Sequence, residues 1–143
     1  MTTPLILPDS KQIAVELLGL AMPDVHITSK LPEGRALNAI MPAVRVLRIG
    51  GTSDMRGWSD PASRDRPRFS VDCYAETDGA AMRLALRARA EWELLPGQST
   101  ADGTVTGISE ETGPQDRPEE AGTGVARVGM TLGMSVRPPL PTS

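Results

Sequence analysis

The sequence predicts an α+β domain: a small, mainly antiparallel sheet of about four to five strands with two helices packed on it. Two observations carry this expectation. From Pro67 to Leu95 the pattern changes at a single joint, where PRFSVDCYAET alternates like a half-buried strand and DGAAMRLALRARAEWELL takes up a helical period at once. AVRVLRI (43–49) and GVARVGMTLGMSV (124–136) alternate in the same way and are set apart by stretches rich in Gly and Pro. The length of 143 residues suits one domain, 1–143, with a core over about residues 9–137.

Each element follows in order. Asp9 or Ser10 caps a first helix in which Ile13, Ala14, Leu17, Leu18 and Ala21 recur at helical spacing until Pro23. Val25–Thr28 reads as a short strand, and SKLPEGRALNAIMP as a connection ended by Pro42. Along Ala43–Ile49, Val44, Val46 and Arg48 share one side, and Ala43, Arg45, Leu47 and Ile49 the other. Residues 50–67 form a predicted flexible loop, longer than the ~12–15 residues that compact domains usually hold without a functional reason. Next, Phe69, Val71, Cys73 and Ala75 are predicted to face the core, with Arg68, Ser70, Asp72 and Tyr74 outward. Thr77 or Asp78 caps the second helix, whose stripe of Ala81, Ala85, Ala88, Trp92 and Leu95 is flanked by Met82, Leu84 and Leu86. Thr104–Ser109 and Gly124–Val136 are expected to form a hairpin. Residues 110–123 are expected as a mobile acidic loop, and 138–143 as an extended tail.

Composition narrows the function classes. Aromatic content of 3%, with 14 Gly and 13 Pro, implies a small aliphatic core and much loop. A net charge of −3 argues against general affinity for nucleic acid or anionic membranes. The start, MTTPLILPDSKQ, has no basic region ahead of its short apolar patch, so neither a signal peptide nor a membrane span is expected. Cys73 is the only cysteine, which excludes an intramolecular disulfide or a thiolate metal cluster and favours an intracellular origin.

Chemistry is sparse. The chain lacks a phosphate-cradling glycine loop between a strand and a helix, and the spacing of its acids fits no calcium loop, so neither cofactor nor metal is expected. Cys73 and His26 are the single nucleophile and base that proximity in the fold would have to unite for catalysis. Cys73 sits on the predicted core face, which favours an inert thiol. Arg83, Arg87 and Glu91 form a charged row on the second helix, read as a solvated face or a partner-binding row. Arg56, Arg64 and Arg66 alternate with aspartates in the 50–67 loop, and Trp58 stands there outside any periodic pattern, features that suit protein contacts.

Three stretches, RFSVDCYAETDGAAMRLALRARAEWELL (Arg68–Leu95), VTGISEETGP (Val105–Pro114) and GVARVGMTLGMSVRP (Gly124–Pro138), carry a resemblance. In their order the chain resembles the tail terminator proteins of long-tailed phages, particularly those infecting actinobacteria. That resemblance implies a small subunit that closes with its copies into a ring, usually of six, on the last ring of tail-tube protein. The ring halts tube growth and offers the surface that joins the filled head, so it implies a location at the head-proximal end of the virion tail after assembly in the host cytoplasm. Implied partners are the chain itself, the major tail tube protein and the head-tail connector or neck proteins, while DNA passes the lumen without specific binding. No catalytic residues are carried over. Candidate interface residues are Trp58, Arg56, Arg64, Arg66, Arg83 and Arg87; candidate channel-facing acids are Glu110, Glu111, Asp116, Glu119 and Glu120. The alternatives are a neck or head-completion protein of the same particle, a small Cys/His enzyme and a host regulatory module, the last disfavoured because no basic reading helix is present.

Overall fold

The first helix starts where its cap stands. Asp9, in extended backbone, accepts a hydrogen bond from the Gln12 amide at 3.2 Å, and α1 runs Ser10–Ala21. These coordinates come from a computed structural model and describe residues 6–54, 63–117 and 124–139. After α1 come β1 (His26–Thr28), α2 (Arg35–Ile40), β2 (Ala43–Asp54), β3 (Arg64–Ala75), α3 (Asp78–Glu93), β4 (Ser99–Thr100), β5 (Gly103–Asp116) and β6 (Ala126–Arg137). They build one sheet in the order β1-β2-β3-β6-β5-β4, with β1 parallel to β2 and every other pair antiparallel.

The class is α+β as expected, but the sheet has six strands and there are three helices. The extra strand, β4, is a two-residue stub that folds back on β5 across Thr100↔Gly103, too short to show as alternation. The extra helix, α2, lies inside the stretch read as a connection. It has six residues and none of them is buried, so it leaves no apolar stripe in the sequence.

The described residues of the two predicted loops are mostly strand. Gly50–Asp54 continues β2 and Arg64–Pro67 opens β3, paired in register from Gly50↔Arg68 to Asp54↔Arg64. The alternation is broken by a shift in register between Arg48 and Gly50, after which Gly51 sits at φ 121°. A Cβ on Gly51 would run into the backbone of Arg66 and Pro67, so the glycine marks a close approach of strands, not a turn. Likewise Glu110–Asp116 belongs to β5 despite its polarity, with three irregularities in its register to β6.

Helices α1 and α3 cover one face of the sheet. Phe69, Val71, Cys73 and Ala75 point into that core as predicted, with Val128, Met130, Leu132, Met134 and Val136 beside them on β6. The helix supplies Ala81, Leu84, Ala85, Ala88 and Trp92; Leu86, expected to flank the stripe, is 49% exposed. Thr77 caps α3 through its hydroxyl, which accepts from the Ala80 amide at 3.1 Å. Trp92 is the largest fully buried side chain: it meets Phe69 edge-on at 5.8 Å, and its indole N–H donates to the Gly133 carbonyl at 3.0 Å.

Trp92→Phe keeps most of the apolar volume and leaves the Gly133 carbonyl without its donor, a loss of about 1–3 kcal/mol for a buried unsatisfied group. Urea unfolding is expected to show a lower midpoint with unchanged slope. An unchanged midpoint would remove this bond from the account of the core.

Candidate functional site

The sheet face turned away from the helices is polar, and arginine dominates it. Strand register brings Arg45, Asp72 and Gly129 side by side across β2, β3 and β6, and one pleat further on Ala43, Tyr74 and Arg127. The Asp72 side chain is fully buried on a face with no helix above it. Arg45 Nη2 reaches one carboxylate oxygen at 3.0 Å, Arg117 Nη1 and Arg127 Nη2 reach the other at 2.9 and 3.0 Å, and the Ser70 hydroxyl donates at 3.2 Å. The guanidiniums of Arg45 and Arg127 both stand 5.9 Å from the Tyr74 ring centre. Burial pushes the Asp72 pKa up, but the hydrogen bonds and charges of Arg45, Arg127 and Arg117 outweigh it and hold the carboxyl below its ordinary value.

Glycines in β6 make this bracing possible. Arg117, at the end of β5, crosses β6 to reach Asp72 on β3, and a Cβ at Gly129 would collide with its guanidinium. Arg68 stands opposite Gly133 and pairs beyond β6 with Glu111 of β5, in a two-pronged contact at 2.7 and 2.6 Å. Among the described residues this open face therefore includes Arg45, Arg64, Arg66, Arg68, Arg117 and Arg127 against Asp54, Asp72 and Glu111. It is a basic face on a chain of net charge −3.

A second ionic group lies on the helix side. Arg48 faces the same way as Val44 and Val46, as expected, and grips Asp65 at 2.7 and 2.8 Å; the Ser10 hydroxyl donates to Asp65 at 2.5 Å. Asp65 is 3% exposed, and the hydrogen bonds that Arg48 donates to it raise the Arg48 pKa. The group fastens the far end of the β2–β3 hairpin to the start of α1.

The predicted site residues separate accordingly. Trp58, Arg56, Glu119 and Glu120 lie outside the described residues. Arg64 opens β3 and donates to the Ser63 carbonyl; Arg66 extends from the open face, 3.8 Å from Asp54. Arg83 and Arg87 line a groove of about 420 Å³ between α3 and the segment around Met41 and Pro42. Arg87 binds Asp24 at 2.7 and 2.8 Å, which lowers the Asp24 pKa to about 2. Glu110 and Glu111 point to opposite faces of β5, where Arg89 of α3 and Arg68 of β3 pair with them. Asp116 is exposed at the end of β5.

Catalysis by Cys73 and His26 finds no support. Cys73 is buried in the core, and burial pushes its thiol up to about 12, while His26 lies exposed on β1. Among the described residues no three His, Cys, Asp or Glu side chains are grouped to hold a metal, and no helix is long and apolar enough to cross a membrane. What the sequence reading missed is the Asp72 group. The available signal was Asp72 within the run Val71–Ala75, where its neighbours are apolar or aromatic and a carboxylate needs cations from other strands.

No protein-family model matches the chain, and no curated protein matches it. Among solved structures, the chain is similar to one from the virion of a native gene transfer agent particle, at 17% identity and a TM-score of 0.49 over 90% of each chain.

Asp72→Asn removes the charge that three guanidiniums share, and the loss expected for breaking a buried ionic group is about 3–5 kcal/mol. The pH dependence follows from the lowered Asp72 pKa. Its stabilisation is complete above the unfolded carboxyl value of about 3.9 and is lost as pH falls through the lower folded value. Acid titration monitored by circular dichroism should show a limb below about pH 4 that flattens in the variant. A thiol reagent at pH 8 should label Cys73 only on unfolding; labelling of the folded chain at the rate of a free thiol would contradict the burial seen here.

Proposed function

We propose that this chain is a structural subunit of a phage virion, and that its copies close into a ring that caps the tail tube, ends its growth and joins it to the head. One observation carries the reading: the sheet is left open. β1 pairs only with Ala43–Arg45 of β2, and β4 only with Gly103 and Thr104 of β5. Among the described residues nothing pairs with the outer edge of β2 onward to Asp54, or with that of β5 onward to Asp116. Strand edges of that length invite another chain, and one face of the sheet also lacks a helix layer. A head-to-tail contact repeated around a closed ring covers such surfaces in every copy alike.

The resemblance in Arg68–Leu95, Val105–Pro114 and Gly124–Pro138 supports the same reading and gives it its place, the head-proximal end of a long tail, with tube and neck proteins as partners. Action by shape also accounts for the inert Cys73. In a ring that DNA traverses, Asp116, exposed at the end of β5, is the described candidate for the channel wall, since Glu110 and Glu111 point to opposite faces and are neutralised by Arg89 and Arg68. Like charge there keeps phosphate from binding.

Light scattering of the purified chain is expected to give the mass of a ring of about six copies, with annular particles in negative stain. Particles assembled without the protein should carry tails of uncontrolled length and unattached heads. A chain that stays monomeric at every concentration, or tails of normal length in its absence, would overturn the reading.

A further inference from the structure

The chain bears an acidic tip and a basic trough, back to back at one point of its sheet. Trp92 fastens the end of α3 to the Gly133 carbonyl at 3.0 Å. The next two residues, Glu93 and Leu94, turn outward, and Leu94 is 64% exposed. The last turn of α3 holds no basic residue, although the C-terminal end of a helix favours a cation. Glu91 and Glu93 have Arg87 and Arg89 one turn behind them, but those arginines pair with Asp24 and Glu110, and Glu93 has no ion-pair partner among the described residues. On the opposite face, Gly133 helps floor a trough of about 280 Å³ with Gly107, Ser109 and Ser135, and Arg66 and Arg68 stand along it. Arg68 is taken up by Glu111, but the Arg66 side chain is 57% exposed and reaches Asp54 only at 3.8 Å.

We propose that the acidic end of α3 in one copy seats in the trough of the next, Glu93 against Arg66, with Leu94 over the Gly/Ser floor. This rests on the ring reading and names a contact within it. Tip and trough are complementary in charge, and the volume of about 280 Å³ gives room for an inserted side chain. Because both lie at Gly133 on opposite faces, a copy that inserts its tip still offers its own trough. The contact is therefore head-to-tail and passes from copy to copy until the rotation closes. A nucleic acid fits the trough less well. The open face carries no lysine among the described residues, and its aromatic ring, Tyr74, is 4% exposed and unavailable for base stacking.

The test compares sedimentation of the full chain with that of Glu93→Arg, Arg66→Glu and the double variant, with circular dichroism and thermal unfolding to confirm the fold. Both positions are exposed, so each variant is expected to fold. Each single change should weaken self-association about tenfold or more, and the double variant and an equimolar mixture of the two singles should recover most of it. If the natural chain forms rings and the single variants do so equally well, this contact is wrong and the ring reading stands; a natural chain that never associates removes both. Weakening without recovery in the double variant or the mixture overturns the pairing. So does an Arg66→Glu variant that loses affinity for a duplex DNA probe while its self-association is unchanged, since that outcome gives the trough to phosphate.

Discussion

A carboxylate with no helix above it holds the exposed half of this protein together. Asp72 is fully buried although it lies on the uncovered face of the sheet, because Arg45, Arg117 and Arg127 fold their side chains down over it. The stems of those arginines supply the cover that an apolar layer gives on the other face, and their charges supply the compensation that a buried carboxylate requires. The three guanidiniums come from β2, from the end of β5 and from β6, so the group ties four strands across their full width. Order on this face is thus electrostatic, and order on the other is apolar.

Strand β6 makes both halves possible. Its even-numbered residues from Val128 to Val136 enter the core, while Gly129 and Gly133 face outward, Gly129 leaving the space that Arg117 crosses and Gly133 the space that the Ser109 hydroxyl fills. Gly133 also gives its carbonyl to Trp92, so a single residue links the apolar core, the end of α3 and the open face. The Arg48–Asp65–Ser10 group does the equivalent work at the far end of the long hairpin, where the helix layer thins. These braces let long strands run past the short stubs β1 and β4, leaving strand edges and a face uncovered among the described residues.

The candidate site was legible only in part. Arg66, Arg83 and Arg87 are exposed, with Arg87 paired to Asp24 and Arg66 standing 3.8 Å from Asp54. Glu110 and Glu111, adjacent in sequence and read together as one acidic surface, are sent to opposite faces by the pleat and paired with different elements. The sequence places Asp72 and Arg45 on outward strand faces but not in contact with Arg117 and Arg127, because the partner of each charge lies on another strand, up to 55 residues away.

By itself the sequence determined the elements whose cause is local. The helix starts at Asp9 or Ser10 and at Thr77 or Asp78, the stripe of α3, the inward set Phe69, Val71, Cys73 and Ala75, and the β5–β6 hairpin follow from periodicity and capping within a few residues. The tertiary structure alone decided that Gly50–Asp54 and Glu110–Asp116 are strands, that the sheet has six members, and that Asp72 is buried. Each of those depends on a neighbour distant in the chain: a backbone close enough to exclude a Cβ, a ladder partner for polar residues, a trio of arginines converging on one carboxylate. Local pattern records what a residue prefers, whereas pairing across the sheet sets which preference prevails.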